Sequence, residues 1–552
     1  MSQTATRRLR GGQSPVSGDT HRSQVAARPG VTRGANPVAQ ASAAECGPGV
    51  PTHGLERELY VVARRGLPPD NGVARKVIEL GLATPELNTA VIELVSGVRS
   101  AARFREQEML FLVNSAAALL VAGDSRAFPL YSSTLIGSND AIEVMNKPRY
   151  KELAKRMSRV AMRPVVGSHY HGGFPDIEDR IQARTALSAY EPFLTAFCAA
   201  SPFQDLAYTG FESSRVESFS TLATAISLAP VKDAAEYLAK LEHELAIAGH
   251  LDISMLHLFT RACFRKGETQ FDPKVGNGQE TVEVRTPDNP LNIDYAVHTA
   301  LLVAGLMSRT AHYLETGQEF AAQIDHESLR TARLDAARVG MNETLVDPFV
   351  KMYPGITYRE VHAPAWEVAA KVFEEARKGL ERIERLDPLA PKGSLTSEFD
   401  ALCKAIKEHG TGAQRVRAMH DRIHAAQKAK GIAVPDLEAF YSRKHLMADS
   451  TARALQAALI WESHNGSLGD QFRQRSERIL DLTNPNFPNR RGLSMGDTSG
   501  KRLITSISGS LARNYEEDLI LAGIDLDAAI GRSTSRMSAD LSEGPLSTRG
   551  IV

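Results

Sequence analysis

Four short segments carry the residues with which this chain can do chemistry. In residues 54–62, Gly54-Leu55-Glu56-Arg57-Glu58-Leu59-Tyr60-Val61-Val62, two carboxylates stand two positions apart in a largely apolar run. Side chains on a strand alternate between faces, so a strand here puts Glu56 and Glu58 on one face, about 7 Å apart. Carboxylates that close repel one another unless a cation lies between them, and hard divalent ions such as Mg²⁺ take oxygen ligands. Residues 165–171 repeat the spacing with His169 and His171, and residues 281–285 repeat it with Glu283 and Arg285, while residues 90–94 carry Glu93 alone. All are strand-like by β-branched content and alternation. Set side by side, such strands line one sheet face as a polar trough. An antiparallel sheet with one solvated face would show the same alternation without any function, but the apolar neighbours favour a buried sheet.

The elements that must position these residues alternate along the chain. Apolar spacing near 3.6 predicts helices over about 97–118, 146–160, 176–200, 233–249 and 292–315. From about residue 365 the pattern is almost wholly helical, with runs near 365–387, 396–408, 411–429 and 436–462. Residues 1–50 contain no Phe, Trp or Tyr and carry six Arg against two acids. Such a segment cannot bury enough apolar surface to order itself. The expected organisation is therefore a disordered segment over 1–50, a catalytic domain over 51–360 and a helical region over 361–470 packed on it. A loosely ordered tail over 471–552 follows, with one helix at 514–521.

Composition narrows the classes. The 552 residues balance 65 Lys+Arg against 65 Asp+Glu, and the isoelectric point is near 7.3, which argues against a nucleic-acid or membrane-surface partner. Cys46, Cys198, Cys263 and Cys403 show no paired spacing, so free thiols in a reducing cytosol are expected rather than a disulfide framework. The longest apolar run, residues 109–123, is interrupted by Asn114 and Ser115 and is too short to span a bilayer. No apolar h-region follows the N-terminus, so no secretory signal is expected.

The wording and order of the segments resemble the glutamate–cysteine ligase type 2 family, also called the carboxylate–amine ligase family. "GLERELYVV" resembles its opening G-[IV]-E-x-E strand, "PELNTAVIELVSG" its second acidic strand and "GSHYHGG" its H-x-H-x-G strand. "AASPFQDLAYTGFESSRVESF" resembles its A-x-S-P-[FY] stretch, and "ETVEVRTPDNPL" its T-x-E-V-R-x-x-D-x-P-L strand and turn. The resemblance implies an α+β, glutamine-synthetase-like fold. In it a curved antiparallel sheet with flanking helices holds the active site on its concave face, followed by a mostly helical C-terminal region. It also implies a cytoplasmic ATP-dependent ligase that joins the side-chain carboxylate of glutamate to an amine, by default cysteine, through an acyl phosphate. The implied cofactors are ATP, as substrate, and Mg²⁺. The implied partners are glutamate and a small amine, with a homo-oligomer left open.

On this resemblance Glu56, Glu58, Glu93 and Glu283 supply oxygen ligands to the metal. His169 adds an imidazole to the metal or to the substrate carboxylate. Arg285 grips phosphate as charge builds on the transferred group, Arg215 is a second fixed cation, and Arg338 joins Arg285 at the nucleotide. Each has a plainer reading beside it. Glu283 and Arg285 can form a solvated pair, His171 can be packing, Arg215 can pair with Glu212 or Glu217, and Asp288 in "TPDNP" suits a turn. "GDTSGKR" at 496–502 has one residue too few between its glycines for a phosphate loop and Arg where Ser or Thr must stand. "GTGAQR" at 410–415 resembles a C-terminal family motif but is physically a helix start. Two departures bear on the second substrate. The family's G-T-H-P segment is replaced by residues 123–129, Gly-Asp-Ser-Arg-Ala-Phe-Pro, and the Asn-Arg-Trp opening is lost in "RTARLDAARVGM" at 330–341. A rival class is a non-catalytic descendant that serves partner binding, which would have no need to keep Glu56, Glu58, Glu93, Glu283 and Arg285 together.

Overall fold

The computed structural model describes residues 52–480 apart from 64–70, 122–126, 135–142, 157–164, 221–224, 227–230, 248–256, 266, 270–279, 319–324, 351–357 and 443–445, together with Ser508 and residues 515–526. The expectations for 1–50, for the 496–502 motif and for residues 123–126 therefore lie outside the described residues.

A seven-stranded sheet is the frame. We number its strands β1 (His53–Ala63), β2 (Thr84–Pro85), β3 (Val91–Val95), β4 (Ala127–Leu130), β5 (Ser168–Gly173), β6 (Thr260–Cys263) and β7 (Thr281–Val284). Their order is β6-β7-β5-β1-β3-β2, every pairing is antiparallel, and β4 joins β1 beyond the end of β5. The four segments expected as strands all lie in it. Strand β1 is long enough to pair on both edges at once: Glu56 stands between Val95 and His169, and Tyr60 between Val91 and Leu130.

The two faces differ as alternation requires. Leu55, Leu59 and Val61 of β1, Tyr170 of β5, and Val282 and Val284 of β7 are buried on one face, covered by the helices Phe104–Val121, Ile177–Ser188 and Ile293–Thr316. Burying such side chains stabilises by about 1.5–3 kcal/mol each. Arg57 also points there. It is buried, ion-paired to Glu108 and 3.1 Å from the hydroxyl of Tyr170.

Helix Ile293–Thr316 is the central support. Asn292 caps it, its side chain accepting from the amides of Asp294 at 3.0 Å and Tyr295 at 3.3 Å, which supplies acceptors for otherwise unpaired first-turn donors. It crosses helix Ala365–Leu386 at Gly305 and Gly379, where a Cβ on Gly379 would overlap the Gly305 carbonyl. The missing side chains let the two backbones touch.

Three expected helices are corrected. The single helix over 176–200 is two, Ile177–Ser188 and Glu191–Phe197. Pro192 has no N–H to give the Ser188 carbonyl, and its ring would clash there, so the chain breaks and restarts with the proline in the first turn. The run over 436–462 is also two, Leu437–Tyr441 and Asp449–Asn465. The helix expected from 97 starts at Phe104, after a short 3₁₀ turn that Ser100 caps by accepting from the Ala102 amide. Helix Asp470–Leu480 extends into the stretch expected to be loose, and residues 515–521 form the helix expected at 514–521. Tyr515 and Leu519 of the latter are buried in the main core. No described helix is long and apolar enough to cross a membrane.

Candidate active site

Strand register assembles the trough. Glu58 on β1 faces Glu93 on β3, Glu56 faces His169 on β5, His171 faces Glu283 on β7, and Glu283 faces Arg261 on β6. Directly paired residues project to the same face, so one face carries all eight charged or titratable groups, Arg285 included. Gly54 lies opposite His171, where a Cβ would rest in ordinary contact with the His171 side chain.

The contacts are close. His169 Nδ1 lies 2.9 Å from Glu56 Oε2 and 3.6 Å from Glu283 Oε1, while its Nε2 lies 3.6 Å from Glu58 Oε1. His171 Nε2 is 3.2 Å from Glu56 Oε1, and its Nδ1 is 3.1 Å from the hydroxyl of Thr281. Glu283 is fully buried and takes a 2.9 Å bond from Arg285 and a second from the guanidinium of Arg261. Cys263 Sγ approaches it at 3.5 Å.

These contacts split the trough into two electrostatic halves. Around Glu283 burial works against ionisation, but Arg261, Arg285 and His171 outweigh it and hold the carboxyl down at about 2. Burial opposes Glu56 as well, yet His171 and His169 keep it well below the usual range. In return Glu56 and Glu283 raise His171 despite its burial. At the other half, burial and the neighbouring Glu86 push Glu58 up to about 8, only partly offset by Arg215 and Arg285. Burial, then Glu56, Glu86 and Glu58, drive Glu93 well above a normal carboxylate. Burial and Arg285 lower His169 to about 4, so its ring is neutral at pH 7.

The Glu58 half fits a hard cation. One ligand atom each of Glu58, Glu93 and His169 lie within 4.8 Å of one another, and Glu56, His169 and Glu283 form a second such group. His169 Nε2 is buried with no hydrogen-bond partner among the described residues. A buried and a half-buried carboxylate short of positive charge, next to a neutral imidazole with a free ring nitrogen, form a donor set that a divalent ion would complete.

Arg215 stands behind this face. It is buried and donates to the carbonyls of Thr286 at 3.2 Å and Arg285 at 2.9 Å, while its Nε has no hydrogen-bond partner among the described residues. It binds neither Glu212 nor Glu217; Glu212 instead pairs with Arg417 at 3.1 Å. Residue 167 must be glycine for Arg215 to reach this position, since a Cβ there would overlap the guanidinium. The Gly167 amide also donates to Glu58 Oε2 at 2.7 Å. Asp288 is buried in its turn, accepting from the Ala200 amide at 2.8 Å, the Ser201 hydroxyl at 2.7 Å and the Ser213 hydroxyl at 2.8 Å. That is the work of a structural tie. Arg338 is apart from the trough: it ends helix His326–Val339 with a largely exposed side chain, 3.4 Å from Asp335, and among the described residues no ion pair links it to the trough. In the same helix Arg333 is buried, bonded to Glu191 at 2.6 Å and stacked over Phe259. Thr411 and Gln414 of the "GTGAQR" stretch cap helix Gly412–Ala429, the Gln414 side chain accepting from the Thr411 amide at 2.8 Å.

Sequence reasoning missed Arg261, Cys263 and Glu86. Arg261 and Cys263 alternate in "TRAC", a signal of the same i, i+2 kind in a strand of four residues. Glu86 follows a two-residue strand and has no periodicity to announce it.

The family model for glutamate-cysteine ligase family 2 matches residues 52–431, well over half of the chain and the whole of the trough. The chain belongs to this family. Among curated relatives, "Putative glutamate--cysteine ligase 2" of Salinispora tropica is 28% identical over 283 residues, covering 50% of this chain and 65% of that protein. The protein of the same name from Salmonella typhimurium is 29% identical over 278 residues, with the same coverage. The match thus spans less than two thirds of the length of these relatives. Among solved structures, the glutamate–cysteine ligase of Francisella tularensis in complex with AMP aligns with 89% of this chain and 98% of its own, at a TM-score of 0.49 and 14% identity.

Proposed function

We propose that this member of the family is an ATP-dependent ligase that joins the side-chain carboxylate of glutamate to an amine, with cysteine as the default acceptor. The observation that carries this reading is the split trough. Glu58 and Glu93 are only partly compensated at one half, and Arg261 and Arg285 bond to Glu283 at the other. A carboxylate and a triphosphate are both anions, so a site that brings them together needs cations on both sides of the transferred group.

A carboxylate oxygen of glutamate attacks the γ-phosphorus of ATP, the bond to the bridging oxygen breaks, and ADP departs with its electron pair. The amine nitrogen then attacks the acyl carbon, inorganic phosphate leaves, and the nitrogen gives up a proton to form the amide. Glu58 and Glu93, with His169 beside them, would hold Mg²⁺, which when bound neutralises phosphate oxygens as charge builds. Arg285 offers a planar fork to the phosphoryl oxygens, and Glu283 fixes the direction of that fork and of Arg261. Arg215 holds the main chain of Arg285 and Thr286 from behind, so it positions the arginine rather than touching substrate. The described cysteines Cys198, Cys263 and Cys403 are free thiols, which suits action in the cytosol.

The acceptor site is expected to be less selective than is usual for the family, because the two departures fall in segments able to shape it and a lost polar contact relaxes discrimination. The test is ADP and phosphate release from ATP and glutamate, with cysteine, other amino acids and small amines compared at equal concentration. Glutamate-dependent ADP formation that requires Mg²⁺ and an amine supports the ligase. Its absence for every amine overturns it, whereas exclusive use of cysteine overturns only the relaxed selectivity.

A further inference from the structure

A cavity of about 270 Å³ lies among the C-terminal helices, and none of its lining residues belongs to the trough. Arg415 and Arg422 reach it from one face of helix Gly412–Ala429, two turns apart. Trp461 and Glu462 come from helix Asp449–Asn465, Arg473 from helix Asp470–Leu480, and Gly523 from the segment that follows the C-terminal helix.

The charges in this cavity do not balance. Three guanidiniums line it against one carboxylate, Glu462. Glu462 is already engaged on one oxygen by Arg415 and by the amide of Asn292, the latter at 2.8 Å. Arg473 is 4.0 Å from Asp470, a weak contact to an almost fully exposed side chain. Arg422 has no ion pair among the described residues. Arg422, without an ion pair among the described residues, and Arg473, held only by that long contact, therefore border a polar hollow beside the flat wall of Trp461.

We propose that this cavity binds a small dianionic oxyanion of the phosphate class, either inorganic phosphate or a small phosphate monoester. Guanidinium forks match tetrahedral oxygens two at a time, and two arginines with so little counter-charge match a dianion better than a monocarboxylate. The volume admits a phosphate group with a few further atoms. Since residues 522–524 form one wall, the bound anion also holds the C-terminal segment against helices Gly412–Ala429 and Asp449–Asn465.

The chain has two tryptophans, so the full-length Trp366→Phe variant leaves Trp461 as the sole emitter and as a reporter of this cavity. Its fluorescence is titrated with sodium phosphate and with glycerol phosphate at ionic strength held constant by sodium chloride. A saturable change is expected for at least one of the two, and the tighter of them identifies the source of the phosphate group. Arg422→Gln with Arg473→Gln should weaken it about tenfold or more, while Arg422→Lys with Arg473→Lys, which keeps charge and loses the fork, should fall between. Both residues are exposed, so unchanged far-ultraviolet dichroism is expected of these variants. No saturable response to either anion, an equal response to chloride, or a response unaltered in the Gln variant would overturn the site.

Discussion

Glu58 and Glu283 are buried glutamates on one sheet face, yet their surroundings drive them in opposite directions. Two arginines claim Glu283, while Glu58 meets other carboxylates. Its folded pKa of about 8 stands above the 4.5 of an ordinary glutamate. The stability it contributes is therefore fully present below about 4.5 and is lost as pH rises through about 8. His171, also raised, acts in the same sense. The buried His53, His298 and His464 are lowered to about 4, 3 and 4 by burial, so their contribution is present above 6.5 and lost on acidification. Between pH 6.5 and 8.5 only the first effect slopes. Metal-free protein should lose thermal stability across that window, and Mg²⁺ should raise Tm more at pH 8.5 than at pH 6.5. Glu58→Gln should flatten the slope and cut turnover on the order of 100-fold. A flat Tm in the wild-type chain, or an equal Mg²⁺ shift at both pH values, counts against a cation at Glu58 and Glu93. Arg285→Lys keeps charge but loses the fork. Steady-state kinetics should show kcat reduced more than KM for ATP is raised, since charge on the phosphoryl group peaks in the transition state; a change in KM alone would move Arg285 to ground-state binding.

Strands and helices set these residues with different degrees of advance notice. The i, i+2 pairs of β1, β5 and β7 were legible because alternation is a local property, and register then needed only antiparallel neighbours. The partner of Arg57 was not legible: Glu108 lies in a helix 51 residues on, and no local pattern links the two. Pro192 was visible as a residue, but periodicity alone ran a helix through it. The Gly305–Gly379 crossing was equally silent, because a glycine in a helix is uninformative until its neighbour is known. That crossing carries its own prediction. Gly379→Ala places a methyl group into the opposing backbone, so the helices must separate at a cost of about 1–3 kcal/mol. Denaturant unfolding should show the lower midpoint, with kcat per folded molecule near wild type. An unchanged midpoint would mean that the helices move apart freely.

Across the whole molecule, segments distant in sequence close on the far end of β1. Strand β4 pairs there, Ser463 of helix Asp449–Asn465 accepts from the Tyr131 amide at 3.2 Å, and Tyr515 stacks edge-on to Phe128 with ring centroids 6.4 Å apart. The C-terminal helix is thus part of the main core, with Leu519 fully buried. Leu519→Ala should cost about 2–5 kcal/mol, measured by denaturant unfolding, whereas a surface helix would give a change below about 0.5 kcal/mol. Its helical spacing was visible in the sequence, but its docking was not, since what it covers is a strand almost 400 residues earlier.

The alternation Glu56-Arg57-Glu58 also bears on how the sheet finds its pairing. A slip of one residue exchanges the faces of a strand. In β1 that slip would turn two carboxylates into the apolar layer beside Glu108 and swing Arg57 toward Arg261 and Arg285. Both errors set like charge against like, one of them without water. Because β1 pairs with β3, β4 and β5 together, its alignment is passed to much of the sheet. The alternating charges of this strand thus also oppose its mispairing, and replacing Arg57 and Glu108 by apolar residues is expected to spare stability while loosening that check.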